Sequence, residues 1–300
     1  AGGSRMAAGT AALCETLEAA RAAYAERAPC SAAAWRALSA AEAGAPKLLC
    51  DHVAFRTFGI DGLGVASLGK VLTDAGYTEQ DELFFEKKKL RARWYRPPAS
   101  RGYLSGSMEG GFLPRVFVSE LEMHRVSDKL KELVERNVAG CHAELGVRPW
   151  VVPTKADYDT AAEESEYAAW TLAHGYALNH ATVSVHNLRS FGAPPESDRL
   201  AAVNKLLSEQ GFTLNAPTGD PINVSPDGLL RQSSTKADLV EYHFRCGAKA
   251  SIPGSYVEFA ERLALPAHAG VEEEQLTEEM RRDGFESGNA DKIFESTFTK

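Results

Sequence analysis

One order of elements occurs twice along this chain, and that repetition restricts the fold more than any other feature. The segment Cys50-Asp51-His52-Val53-Ala54-Phe55-Arg56-Thr57-Phe58 alternates apolar and polar residues as a strand does, and Gly59 and Gly62 end it. GVASLGKVLTDAGYTEQDELFF follows, with Leu68, Val71, Leu72 and Ala75 on one helical face, Gly76 at the C-terminal cap and an extended segment from Tyr77. Further on, Asn179 to His186 reads as a second strand. SDRLAAVNKLLSEQGFTLN reads as a second helix, capped by Ser197 and burying Leu200, Val203 and Leu207. The helix ends VLTDAGYTEQ and LLSEQGFTLN align. LRARWYRP and PRVFVSEL supply later strands to the first copy, and VEYHFRC and GSYVEFAER to the second. Two copies of one supersecondary module therefore form an α+β core.

The remaining segments frame this core. Residues 1–49 form an N-terminal helical layer, with Leu13, Leu17, Ala20 and Tyr24 at helical spacing and Ser31 as the cap of a second helix. Residues 50–120 are the first module, 121–175 a helical insertion, 176–265 the second module, and 266–300 a charged helix followed by an extended tail, all within one compact domain. The opening AGGSRMAAGT lacks the charged-then-apolar order of a secretory signal, so the expectation is a chain whose transit peptide was removed or never existed, with Met6 a candidate initiator.

Composition excludes several classes. With 33 basic and 41 acidic residues the net charge is -8, which argues against tracking a nucleic-acid backbone, and no apolar run is long enough to span a bilayer. The five cysteines are dispersed with no CxxC pair, which indicates neither a disulfide framework nor a zinc knuckle. No GxSxG, P-loop or GxGxxG element occurs.

Chemistry concentrates on the first strand of each module. His52 and His180 are equivalent by the repeat, and pseudo-symmetric pairing of the modules would aim both imidazoles into one cavity. Glu258, an acidic residue inside the apolar strand Tyr256-Val257-Glu258-Phe259, is the best third ligand. Two histidines and one carboxylate with open positions is the pattern of non-haem Fe(II) oxygenases. Each histidine alone is as readily a satisfied core residue, and Glu258 alone a strand-end carboxylate. Arg56 lies four residues after His52, on the same strand face. Its planar fork suits bidentate recognition of an acid substrate, the alternative being a structural pair with Asp51 or Glu86. Thr182, Ser184 and His186 share the face of His180, with His186 a competing ligand or a rim group. His243 belongs to a solvated strand face, His124, His142, His174 and His268 to the surface, and Trp94, Trp150 and Trp170 to the core.

Read together, DHVAFRTFG, LPRVFVSEL, LNHATVSVH, LLRQSSTKADLVE, PGSYVEFAER and RRDGFESGNADKIFEST resemble the DUF1338 family of 2-oxoadipate dioxygenase/decarboxylases, within the vicinal oxygen chelate superfamily. Six segments in the family's order span roughly residues 10 to 300, with a compact chain like the plant and algal branch. The resemblance implies a vicinal oxygen chelate-like core of two βαβββ modules forming a cupped sheet around Fe(II) held by His52, His180 and Glu258. It also implies Arg56 on a carboxylate of the substrate, a 2-oxo dicarboxylic acid that reacts with O2. His52, His180 and Ser184 adjoin that substrate, and the near-C-terminal Gly288, Asn289, Ala290 and Asp291 close the pocket. The implied reaction converts 2-oxoadipate to 2-hydroxyglutarate and CO2 in lysine catabolism, in a plastid or alternatively the cytoplasm. Related readings are an extradiol-type dioxygenase or isomerase on the same ligand set, or a non-catalytic plastid protein of starch development.

Overall fold

The computed structural model describes residues 2–42, 48–98, 113–192 and 197–298. Strands β1 (Cys50–Phe58) and β5 (His180–Ser184) lie antiparallel at the centre of an eight-stranded sheet. Outward from β1 come β4 (Arg115–Leu121), parallel to it, then β3 (Leu90–Arg96) and β2 (Thr78–Phe85), each antiparallel to its inner neighbour. Outward from β5 the order is repeated by β10 (Tyr256–Arg262), parallel, then β7 (Leu230–Ser234) and β6 (Asn223–Val224), antiparallel. The crossover helices are α3 (Val65–Asp74) and α7 (Arg199–Glu209). The 128-residue offset that carries His52 onto His180 also carries Val53 onto Ala181, and these two residues face each other across the central pair. The pseudo-twofold therefore passes through that pair, and strand twist curls the sheet into a half-barrel.

Helices pack against the sheet. On α1 (Gly2–Arg27) Leu13, Leu17, Ala20 and Tyr24 are buried, and the Tyr24 hydroxyl donates to the Tyr256 carbonyl, fixing the helix to β10. On α2 (Pro29–Ala41) Ala34 and Leu38 pack with Leu200, Leu207, Val257 and Phe259. The insertion forms α4 (Asp128–Val138), α5 (Lys155–Glu164) and α6 (Glu166–His174), whose first turns are capped by Ser127, Thr154 and Ser165. Helix α3 has no side-chain cap of its own; the buried Glu120 on β4 accepts from Val65 N at 2.7 Å and fills that role. Among the described residues no helix is long and apolar enough to cross a membrane.

Several local expectations are corrected. Ser31 does not cap α2, because Pro29, with φ already set for a first helical turn, starts the helix at Ala28 and leaves Ser31 buried within it. Asp198, not Ser197, caps α7 by accepting from Ala201 N, while Ser197 donates to the Phe191 carbonyl. Val71 is exposed, since α3 packs through Leu68, Gly69 and Leu72. VEYHFRC belongs to a separate hairpin of β8 (Leu239–His243) and β9 (Lys249–Pro253), inserted between β7 and β10; the third strand of the second module is β7 instead. His174 is buried against the Pro253 carbonyl, and burial pushes its pKa down to about 3. The charged C-terminal stretch is not an α-helix. Its charges go to ion pairs with the body, Glu278 with His186 and Arg115, so it folds as short 3₁₀ turns, whereas the tail forms α8 (Ser287–Ile293) and a 3₁₀ turn, Phe294–Thr297.

Helix α3 reaches β3 through Gly69: a Cβ there would lie 2.1 Å from the Tyr95 hydroxyl and 2.8 Å from Cζ. Gly69→Ala is expected to cost about 1–3 kcal/mol through overpacking. Adding Tyr95→Phe should recover part of that loss in chemical denaturation, and no recovery would refute the assigned clash.

Candidate metal centre

His52 on β1, His180 on β5 and Glu258 on β10 meet on the concave face where the two modules join. One ligand atom from each lies within 4.8 Å of the others, and all three residues are buried. His180 Nε2 is 3.1 Å and His52 Nε2 3.5 Å from Glu258 Oε2. Strand pairing explains the convergence. Thr182 sits opposite Glu258 on β10, and Ala54, its repeat equivalent, sits opposite Phe117 on β4. The second module thus offers a carboxylate where the first offers an aromatic ring, so the symmetric frame yields three donors.

Both imidazoles are oriented by the residue before them. His52 Nδ1 lies 2.8 Å from Asp51 Oδ1, and His180 Nδ1 3.1 Å from Asn179 Oδ1. Asp51 and Asn179 are themselves repeat equivalents, a signal present in the sequence as Asp-His and Asn-His that the sequence reading did not use. Asp51 receives Arg262 Nε at 2.6 Å and Nη2 at 2.8 Å, and Arg115 Nη1 at 3.3 Å. Burial favours its neutral form, but the Arg262 and Arg115 charges reverse this and hold its carboxyl well below the usual range. An ionised Asp51 only accepts, so His52 Nδ1 carries a proton, and Nε2 is the nitrogen that faces Glu258. Burial likewise opposes ionisation of Glu258, yet the charge of His52 and hydrogen bonds from His180 and His52 hold it down at about 2. Burial lowers His180; for His52, burial is outweighed by the Glu258 charge and by Asp51, leaving its pKa raised. Two imidazole nitrogens converging on a buried carboxylate form an arrangement that a cation, taking the place of their protons, would stabilise. The group could hold a metal ion, with the outer partners that metal-binding histidines require.

Around the group lies a small cavity of about 20 Å³, room for one water or ion, lined by Phe117, Gln232, Tyr256, Phe285, Ala290 and Phe294 with the His-His-Glu residues. Phe285 packs edge-on against His52, ring centroids 4.8 Å apart. Arg56 is buried behind the Phe294 wall. Its Nη1 donates to Thr297 Oγ1 at 2.9 Å, and its guanidinium lies over the rings of Tyr167, Trp170 and Phe294. Neither Asp51, taken up by Arg262 and Arg115, nor Glu86, paired with Arg125, serves it. Arg56 Nε and the Tyr256 hydroxyl are buried without a partner at full hydrogen-bond geometry among the described residues, and the two side chains lie close enough to interact with each other. Burial lowers the Arg56 pKa, an expense that an arriving carboxylate would offset.

Other expected site residues are placed differently. Ser184 is buried outside the cavity wall, its hydroxyl shared between His186 and Asn187; after Ser184 the chain leaves the strand for a 3₁₀ turn. His186 is not a ligand: its Nε2 meets Glu278 Oε1 at 2.6 Å. Ala290 lines the cavity. Asn289 faces the sheet and donates to Gln232, Asp291 pairs with Lys88, and Gly288 has open space beside it. Gln232, Tyr256, Phe117 and Phe285 went unrecognised in the sequence because amides and rings in strands look like ordinary core.

The sequence profile of the 2-oxoadipate dioxygenase/decarboxylase family matches residues 10–143 and 132–273. The chain belongs to that family. It is 47% identical over 261 residues, 84% of this chain and 69% of the relative, to a chloroplastic 2-oxoadipate dioxygenase/decarboxylase of Arabidopsis thaliana. The crystal structure of hydroxyglutarate synthase from Oryza sativa in complex with 2-oxoadipate superposes with a TM-score of 0.85 at 39% identity, covering 97% of this chain and 94% of that one. A glyoxalase-superfamily protein from Ralstonia eutropha, at 22% identity, shares the fold with a TM-score of 0.66 over 90% of this chain and 84% of that one. The expected vicinal oxygen chelate-like α+β fold is therefore present.

Acid stability reports on the buried ion pairs behind the site. Burial opposes ionisation of Glu278, but the His186 charge and hydrogen bond, with the Arg115 charge, lower its pKa from 4.5 to about 2. A depressed carboxyl stabilises the fold above its unfolded value and loses that contribution as pH falls through its folded value. Melting temperature should therefore fall between about pH 4.5 and 2, and Glu278→Gln should flatten this limb while lowering stability at pH 7. An unchanged acid limb would contradict the assigned coupling.

Proposed function

We propose that this protein is an Fe(II)-dependent 2-oxoadipate dioxygenase/decarboxylase of the plastid, converting 2-oxoadipate and O2 to 2-hydroxyglutarate and CO2. The observation that carries the reading is the pairing, on one concave face, of a buried His-His-Glu group with a buried guanidinium that has no protein carboxylate. A relative named for this activity at 47% identity, and a related structure holding 2-oxoadipate, support the substrate; the relative's chloroplastic name supports the compartment.

His52, His180 and Glu258 would hold the iron through two neutral nitrogens and one anionic oxygen, a donor set that suits Fe(II) with positions left open. When bound, Fe(II) supplies the redox chemistry with O2 and the Lewis acidity that polarises a 2-oxo acid. The chain's own residues do the rest. Asp51 keeps the His52 proton on Nδ1 and frees Nε2 for the metal. The Arg56 guanidinium, with the Tyr256 hydroxyl beside it, would receive a substrate carboxylate and so fix which carbon faces the reacting centre. Phe117, Phe285 and Phe294 exclude water from the cavity. The atoms balance: both atoms of O2 end in 2-hydroxyglutarate, CO2 leaves with the substrate's own carboxylate oxygens, and no second 2-oxo acid is consumed.

Protein loaded anaerobically with Fe(II) should consume one O2 and release one CO2 per 2-oxoadipate on aeration; no uptake would refute the reading. Arg56→Ala should raise KM about 100-fold, in line with loss of a charge-assisted contact of roughly 3 kcal/mol, while iron content is retained. An unchanged KM would remove Arg56 from substrate binding.

A further inference from the structure

Glu258 is not held by the histidines alone. Its second oxygen, Oε1, accepts from Gln232 Nε2 at 2.6 Å, and Gln232 Oε1 accepts from Asn289 Nδ2 at 3.0 Å. Gln232 lies on β7, directly beside β10, and Asn289 on α8; both are buried. Asn289 also donates toward the carbonyls of Leu230 at 3.3 Å and Asn223 at 3.4 Å, fixing it to the outer strands. The same C-terminal segment provides Ala290, Ile293 and Phe294 to the cavity wall.

A side-chain amide has a donor end and an acceptor end and can be turned over. The carboxylate of Glu258 accepts only from the donor end, and the Nδ2 of Asn289 donates only to the acceptor end. With Asn289 in place, one orientation of Gln232 satisfies both. Without it, the amide oxygen of Gln232 loses its partner and only the bond to Glu258 holds the side chain, so the carboxylate is less firmly oriented. A cavity of about 20 Å³ is smaller than a six-carbon diacid needs, and the segment that carries Asn289 forms part of its wall.

We propose that Gln232 and Asn289 form a hydrogen-bond relay through which seating of α8 fixes the orientation of Glu258 toward the metal, making both of them positioning residues. This rests on the metal reading of His52, His180 and Glu258. It assigns Asn289 a role distinct from substrate contact: it acts through Gln232 on a ligand carboxylate that it does not touch.

Co2+ binding to the full chain, followed by its visible absorption and by calorimetry, tests the relay without turnover. Asn289→Ala should weaken Co2+ binding about 10-fold, within the range for lost outer-shell partners, and alter the absorption envelope. Gln232→Ala should weaken it at least as much. The double variant should bind no worse than Gln232→Ala alone, because the two act in series. Co2+ affinity of Asn289→Ala within twofold of wild type, or additive losses in the double variant, overturns the relay while the metal reading stands. Failure of the wild-type chain to take up Co2+ overturns both.

Discussion

The bidentate pair between Arg262 and Asp51 underlies the rest of the site. Both side chains are fully buried, and the two contacts, 2.6 and 2.8 Å, tie β10, which carries Glu258, to β1, which carries His52. Removing one member of such a pair strands a charge in the interior, at a cost of several kcal/mol. Arg262 also donates to the carbonyls of Gly284 and Arg282, and its guanidinium lies over Phe285, the ring that packs on His52. One interaction therefore aligns two ligand strands, fixes the tautomer of a histidine and anchors the segment that closes the cavity. Arg115 extends it to Glu278 and Asp283, so the C-terminal segment is held by charge where its apolar surface is small.

Electrostatics at the site are local. A chain of net charge -8 repels an anionic substrate at long range, and this field is screened within about a Debye length. Attraction must then come from the buried Arg56 and from the cation that the His-His-Glu group would hold. Aromatic faces of Tyr167, Trp170 and Phe294 keep Arg56 charged in the interior without a carboxylate to neutralise it. The Arg56 guanidinium, with the Tyr256 hydroxyl beside it, is what a substrate carboxylate would meet.

Much of this was legible in the sequence because the informative residues lie on a repeat. Equivalence of His52 and His180 follows from two aligned strand-helix units, and the strand period places Arg56 on the face of His52. What escaped the sequence depends on contacts between distant segments. The charged run near residue 273 reads as a helix until its carboxylates find Arg199, Arg115 and His186 on other elements. His174 reads as a surface group until the β8–β9 hairpin covers it and offers the Pro253 carbonyl. Ser184 shares the strand parity of His180, but the strand ends there and the backbone turns it away. Asn289 was expected at the substrate; it reaches instead across to β7, a contact that local sequence does not encode.

The central claim is that two pseudo-symmetric modules share one metal ion at their junction, completed by a carboxylate that only the second module supplies. Metal analysis of the purified chain and of Glu258→Ala, after anaerobic loading with Fe(II) and removal of excess, addresses this most directly. One iron per wild-type chain, and loss of that iron in a variant that keeps its circular dichroism and cooperative melting, is the predicted result. Equal iron in both proteins would contradict the account.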